Sequence, residues 1–231
     1  MNDRTETKTF SSRLNQFLSS KSRLILIVSI VLVSSIVIAV VAFSVIDNRT
    51  IASTELVESI QGQFDEWQTV ADQPDESQPI ETRLREAIDE LTDRYPQSYG
   101  AVRGQFILAN LEWELGNFEE SRAAYLAVAE SAPDGYLAAP ALYSAGACSE
   151  ELDDPAEATI LYLSILDLES VNSEKARALM SLGRLAEQAG NRSEALEYYT
   201  RLIDEHGDSN WTNLGRSRII WLNSQEGNSG S

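Results

Sequence analysis

A chain of 231 residues, 43% apolar and 23% charged, has the composition of a folded protein with one or two domains. Residues 1–23 set Arg4, Lys8, Arg13, Lys21 and Arg23 against Asp3 and Glu6, a surplus of +3, which leaves −21 on the rest of a chain whose total is −18. So acidic a remainder repels nucleic acid and anionic lipid headgroups, and the single cysteine, Cys148, excludes an intramolecular disulfide and a thiolate metal cluster.

In chain order, the basic tail 1–23 leads into a run, Leu24 to Ile46, that holds no charge, proline or glycine and has 17 Leu, Ile, Val or Phe among its 23 residues. As a helix at about 1.5 Å per residue the run is roughly 35 Å long, against about 30 Å of bilayer hydrocarbon. Ser29, Ser34, Ser35 and Ser44 can return their hydroxyls to carbonyls one turn earlier. A cleaved signal peptide is the alternative, with Val40-Val41-Ala42 as the small-residue site. Signal cores are shorter, however, and this run continues through Phe43, Val45 and Ile46. Five basic residues precede the span, and Arg49 is the only one in the twenty that come after it. That bias predicts a single pass with the N-terminus in the cytoplasm and the bulk of the chain, from about Asp47, across the membrane. In a bacterium with an outer membrane, this is an inner-membrane protein with a periplasmic domain.

After the span, Thr50 to Val70 and Glu81 to Tyr95 read as a helical pair joined by an acidic loop, Ala71 to Pro79, which two prolines interrupt. The first helix could continue directly from the span. The second shows one apolar stripe in Ile80, Leu84, Ala87, Ile88, Leu91 and Tyr95. This pair, residues 47–100, is a degenerate first unit, because Pro96 lies 37 residues before Pro133 and the same spacing governs the rest of the chain. Tyr125, Tyr162 and Tyr199 are 37 apart. So are Leu108, Ala145 and Leu182, each with a small residue next to it, Ala109, Gly146 or Gly183, where helices can approach closely. Gly116, Asp153 and Gly190 fall in the same register, then Asn117, Asp154 and Asn191, then Glu120, Glu157 and Glu194. The last two sets predict N-caps closed by capping boxes, and the first predicts the turns before them. Pro155 fits a first helical position.

The period defines three helix-turn-helix units, 101–137, 138–173 and 174–208. Their first helices are Ala101 to Leu115, Ala138 to Leu152 and Glu174 to Ala189. The second helices are Glu119 to Ser131, Ala156 to Leu168 and Ser193 to His206. Asn210 to Asn223 is expected as a closing helix, and 224–231 as a disordered tail. The fold class is therefore all-α, one N-terminal transmembrane helix and then a solenoid of stacked hairpins.

The repeat resembles the tetratricopeptide repeat. The matching residues are Leu108-Ala109, Ala145-Gly146 and Leu182-Gly183, then Ser121, Ala158 and Ala195, the three tyrosines and Pro133. Gln105, Leu142 and Leu179 stand where that family usually has tryptophan, and each unit is three residues longer than the family's 34. Over nearly the whole chain, one span, a helical pair and Tyr95-Pro-Gln-Ser-Tyr-Gly-Ala101 leading into Leu108-Ala109 are similar to the YfgM-like family, ancillary subunits of the SecYEG translocon. The resemblance implies translocon subunits and periplasmic chaperones as partners.

Enzyme motifs for phosphate, dinucleotide, zinc-protease or serine-hydrolase chemistry are missing from the sequence, and no cofactor or metal is implied. His206, the only histidine, sits at a helix end, and Cys148 falls among small residues of a first helix. In a stack of helix pairs the first helices line one groove. By register that groove presents Arg103, Phe106, Asn110 and Trp113, then Tyr143, Ala147 and Glu150, then Arg177, Met180, Arg184 and Glu187. Arginine and aromatic residues dominate binding energy at interfaces, so the lining suits an apolar protein segment bearing a carboxylate. Equally, Phe106, Trp113 and Tyr143 could pack between neighbouring helices. The expected function is a membrane-anchored scaffold or chaperone-like adaptor, with an envelope-assembly or cell-division scaffold as the alternative and a hydrolase with a dispersed site as a third reading.

Overall fold

The computed structural model describes residues 22–169 and 172–229. The basic tail, except for its last two residues, lies outside the described residues. The chain divides into two compact units, residues 1–52 and 53–231.

The first unit is described from Ser22 onward, the start of helix α1 (Ser22–Thr69). All its described side chains from Leu26 to Ile46 are exposed, including Leu26, Ile38 and Phe43 at 61, 68 and 72%. Backbone polar groups are satisfied within the helix, and Ser35 and Thr50 donate to the carbonyls of Val31 and Ile46, at 2.9 and 3.0 Å. Such a helix is long and apolar enough to cross a membrane. It runs without a break into the expected first helix of the degenerate pair, so the span and that helix are one element.

The second unit comprises the end of α1 and eight further helices among the described residues: α2 (Pro74–Arg94), α3 (Tyr99–Glu114), α4 (Phe118–Ser131), α5 (Ala138–Glu151), α6 (Pro155–Leu166), α7 (Asn172–Gln188), α8 (Arg192–Glu205) and α9 (Thr212–Ser229). Each of α3 to α8 lies within two residues of the bounds expected from the 37-residue period. No strand occurs among the described residues.

Val57, Ile60, Phe64 and Trp67, spaced three and four apart, place one stripe of α1 against Ile80, Leu84, Ile88 and Leu91 of α2 and Ile107 and Leu111 of α3. Fully burying one such aliphatic side chain contributes about 1.5–3 kcal/mol, so this layer outweighs the cost of any single imperfect turn. Ala87 and Tyr95 pack at its margin. The acidic loop is shorter than expected, because α2 already begins at Pro74 and carries Pro79 inside. Pro74 occupies the first turn, where no backbone donor is needed, and Asp75 and Glu76 there complement the positive end of the helix. Pro79 forfeits one bond on the exposed side, where water reaches the freed carbonyl.

Beyond α2 the core continues from hairpin to hairpin. Ala109, Tyr125, Val128, Ala141, Ala145 and Cys148 form one cluster, Ala139, Ala158, Tyr162, Ile165, Ala178 and Leu182 the next, and Leu179, Ala195, Tyr199, Leu202 and Leu222 the last. Within a hairpin the two helices meet where the second helix sets its tyrosine against the small residue of the first. A Cβ on Gly146 would lie 2.5 Å from Cε1 of the fully buried Tyr162, and one on Gly183 would collide with Tyr199 in the same way.

The three turns inside the hairpins share one construction. The N–H groups of Asn117, Asp154 and Asn191 donate to the carbonyls of Glu112, Ser149 and Ala186 at 2.9, 2.8 and 2.8 Å, and those of Gly116, Asp153 and Gly190 to Trp113, Glu150 and Glu187. This is the Schellman pattern, which requires a left-handed residue. Gly116 and Gly190 supply it at φ 77° and 76°, and Asp153 does so at φ 56°.

The expected N-caps need correction. Only Asp154 closes one with its side chain, accepting from the N–H of Glu157 at 3.1 Å. The side-chain amide of Asn117 donates instead to Glu112, and that of Asn191 to Glu194. With their turns already fixed by backbone bonds, these asparagines are free to serve other carboxylates. At the C-terminus α9 extends to Ser229, so the expected tail is helical from Ser224 to that residue.

Two substitutions test this packing. Asp153→Gly removes the strain of a left-handed aspartate and should raise stability by about 0.5–1 kcal/mol, read from urea unfolding. Gly146→Ala, which forces a fully buried ring to move, should lower it by about 1–3 kcal/mol.

Candidate functional site

The first helices of the hairpins, α3, α5 and α7, carry the residues that the register assigns to a groove. On α3, Arg103 forms an ion pair with Glu58 of α1. Half-buried Phe106 meets Tyr125 edge-on with centroids 5.3 Å apart, and Asn110 accepts a 2.5 Å hydrogen bond from the Tyr125 hydroxyl. Trp113 meets Phe118 edge-on at 5.1 Å. Phe106 and Trp113 therefore pack between α3 and α4, the alternative that the sequence left open for them, and Asn110 braces the same hairpin.

On α5 and α7 the assigned residues converge. The Tyr143 hydroxyl is 3.0 Å from that of Ser181, its ring lies 5.1 Å from that of Tyr162, and the Arg177 guanidinium covers its face at 3.6 Å from the centroid. Arg184 donates two bonds to Glu150, both 2.6 Å, and Tyr162 donates a third to the same carboxylate at 2.7 Å. A cationic and aromatic cluster therefore bridges two successive hairpins, with Arg177 at its exposed side. Met180 is buried at 8% exposure in the last core cluster, with Leu179, Tyr199 and Leu202, so its place in a partner's footprint is a correction: the side chain fills the core.

One hairpin on, the pattern repeats. Glu187, 37 residues after Glu150, accepts two bonds from Arg218 of α9, and Tyr199 stands beside the pair without a hydrogen bond of good geometry. Nearer the N-terminus, Arg85 of α2 binds Glu81 and reaches Glu112 of α3, while Arg122 of α4 lies 3.8 Å from Asp154. Ion pairs thus stitch each hairpin to the next.

Burial governs the electrostatics. It opposes ionisation of Glu112 and Glu187, but the bonds from Arg85 and Asn117 in one case and from Arg218 in the other hold both carboxylates below their ordinary range. Burial pushes Tyr125 up to about 12 and raises Tyr162 and Tyr199 as well. The Cys148 thiol is also raised by burial, and it donates to Ser121 at 3.4 Å. These groups stay protonated at neutral pH and serve as donors, not as nucleophiles. Among the described residues no group of three or more His, Cys, Asp or Glu side chains could hold a metal ion.

Two features are not evident from the sequence pattern. Tyr99 and Tyr136, themselves 37 apart, join their hydroxyls and flank an uncharged cleft of about 580 Å³ lined also by Pro96, Val102, Ala132 and Leu137. Their common register was the available signal. The other is the exposure of Leu214, Ile220 and Trp221 on α9, which lies beyond the repeats.

Family models described as tetratricopeptide repeat match residues 84–136, 106–170 and 177–209. The first match begins in α2, so the helical pair ahead of the clear repeats carries repeat character in its second helix. No curated protein matches the chain.

Because Glu112 and Glu187 ionise more readily folded than unfolded, they contribute stability above the unfolded carboxylate value of 4.5, and lose it as the pH falls through their lower folded values. The thermal midpoint should therefore drop below about pH 4.5, and drop less steeply in Glu187→Gln, which already lacks the contribution. At neutral pH that variant should cost about 1–2 kcal/mol, a figure reduced because the Arg218 side chain is 34% exposed.

Proposed function

We propose that this chain, which belongs to the tetratricopeptide-repeat family, is a membrane-anchored protein-binding scaffold or chaperone-like adaptor of the bacterial cell envelope, an ancillary subunit of the protein translocon in particular. Tetratricopeptide repeats are protein-interaction modules, and the chain's three matched segments lie in the unit after the apolar helix. The apolar helix supplies the anchor: restricted to the membrane, the repeats meet other membrane proteins at a raised effective concentration, so weak contacts suffice. The basic surplus ahead of that helix favours an N-terminus in the cytoplasm of the bacterium and repeats in the periplasm.

The strongest support comes from the cluster of Tyr143, Arg177 and Arg184 across α5 and α7. It places a cation over an aromatic ring at the surface, a combination that anchors protein partners, within a strongly acidic chain. Partners are other proteins or peptide segments, with translocon subunits and periplasmic chaperones the first to examine. An apolar segment bearing a carboxylate would meet the exposed edge of Arg177 while Arg184 remains held by Glu150. Arg103, Phe106, Asn110, Trp113 and Glu187 shape the same side from their packed positions.

Crosslinking in native membranes from a photoreactive residue at Ala147, with adducts identified by mass spectrometry, should capture translocon subunits or chaperones. Arg177→Ala should weaken capture about tenfold, while leaving the thermal midpoint close to that of the parent. Capture unchanged by Arg177→Ala would remove this cluster from the binding surface. Absence of any adduct along α3, α5 and α7 would overturn the scaffold reading.

A further inference from the structure

Helix α6 presents an apolar line on its outward side. Ala156, Ile160, Leu163 and Asp167 are spaced four, three and four apart, so they fall within about 60° of one another around the helix axis. All four are exposed, Ile160 at 59% and Leu163 at 39%. Ala158, Leu161, Tyr162 and Ile165 occupy the opposite side and are buried in the core. Glu157, the one charged residue of α6, is half-buried and lies about 100° around from Ala156.

The fold does not require large apolar side chains on this line. Its equivalent on α8, 37 residues on, reads Ser193, Glu197, Thr200 and Asp204, all exposed. On α4 it reads Glu119, Ala123, Leu126 and Glu130, of which Leu126 is half-buried. The hairpins share one turn and one tyrosine seat, so the polar line of α8 shows what suffices where water covers that side. Exposing Ile160 and Leu163 to water gives the hairpin nothing, and a partner that covers them gains their burial.

Charge identifies the occupant. Between Arg122 and Lys175 the sequence holds ten carboxylates and no lysine or arginine, in a chain whose net charge is −18. Five of them, Asp153, Asp154, Glu157, Asp167 and Glu169, lie in α6 or within three residues of its ends. A second copy of this chain would bring the same negative surface, and an anionic bilayer is negative as well, so both meet repulsion. A helix with one aliphatic stripe flanked by lysine or arginine is attracted by these carboxylates and by the acidic chain as a whole, and its stripe covers Ile160 and Leu163.

We propose that the outward line of α6 docks a cationic amphipathic helix of a partner protein, its aliphatic stripe on Ile160 and Leu163 and a lysine or arginine against Asp167. This inference rests on the scaffold reading and gives that scaffold a second contact surface, apart from the cluster on α5 and α7.

The test uses the full chain in phosphatidylcholine nanodiscs and three labelled synthetic peptides, read by fluorescence anisotropy. The first has leucines at i, i+3, i+4 and i+7 and lysines on the flanks. The second has glutamates in place of the lysines, and the third has the residues of the first in an order that breaks the stripe. The first should bind about tenfold or more tightly than either control, and weaken with added salt. Ile160→Glu and Leu163→Thr copy the residues of α8, so the thermal midpoint should stay close to that of the parent. Ile160→Glu should weaken the first peptide about tenfold, and the double variant should abolish its binding. Because Ile160→Glu adds a negative charge that favours a cationic peptide, that loss reads the apolar contact. Asp167→Asn should weaken binding about threefold and flatten its salt dependence. Equal binding of the first and third peptides, or binding indifferent to Ile160→Glu, would overturn the proposal. So would a dimer in sedimentation that Ile160→Glu dissociates, which assigns the line to a second copy. Attachment to added phosphatidylcholine vesicles that the same variant abolishes would likewise assign it to lipid. Partner capture from Ala147 that persists while no peptide binds leaves the scaffold reading standing and removes only this surface; a chain that captures no partner overturns the reading beneath it.

Discussion

A tyrosine ring buried against a residue with little or no side chain sets the distance between the two helices of each matched hairpin. Tyr162 on Gly146 and Tyr199 on Gly183 leave no space for another carbon, and Tyr125 shares a core cluster with Ala109 at the equivalent place. Close approach in turn buries the alanine-rich faces of α5 and α7, whose short side chains would leave voids at a larger separation. The Schellman turns depend on the same geometry, since they direct the chain back at an angle that only a close partner helix can use. Aromatic volume in one helix and missing volume in the other therefore act as a single constraint.

A second kind of bond works between hairpins. No hairpin can cover its own apolar face, so the array holds only when neighbours are in register. Arg85 with Glu112, Arg184 with Glu150 and Arg218 with Glu187 fix that register by pairing a cation of one helix with a partly buried carboxylate of another. Each carboxylate also takes a neutral donor or neighbour from its own hairpin, Asn117, Tyr162 or Tyr199. The arginines proposed to meet a partner thus belong partly to the frame. Arg184 is committed to it, and Arg177 is the more accessible of the two.

The hairpins were legible because their signals are local or strictly periodic. Tyrosines, small residues and left-handed turn residues recur every 37 positions, so helix bounds could be placed to within two residues. The apolar stripe of α2 was equally plain. Pro79 misled, because the cost of a proline near a helix start depends on exposure that no spacing reveals. The asparagine caps misled for a related reason: a short amide has several carboxylates within reach, and backbone bonds had already settled the turn. The groove residues were placed on the right helices, but, apart from Trp113 with Phe118, their partners lie 12 to 45 residues away, and the period predicts equivalence between repeats, not pairing across them. The exposed apolar residues of α9 lay outside the repeat altogether, where register offers no guide.

The near-identity of the three hairpin turns has a consequence for how such a chain can change in length. Removal or duplication of one whole period joins helix ends that already share the same dihedral geometry and the same small-residue seat for a ring. Any other increment would rotate the next helix about its axis and turn its greasy side to solvent. The array is therefore quantised: evolution or an engineer can lengthen it in steps of one hairpin, and each step adds a facet without disturbing those on either side.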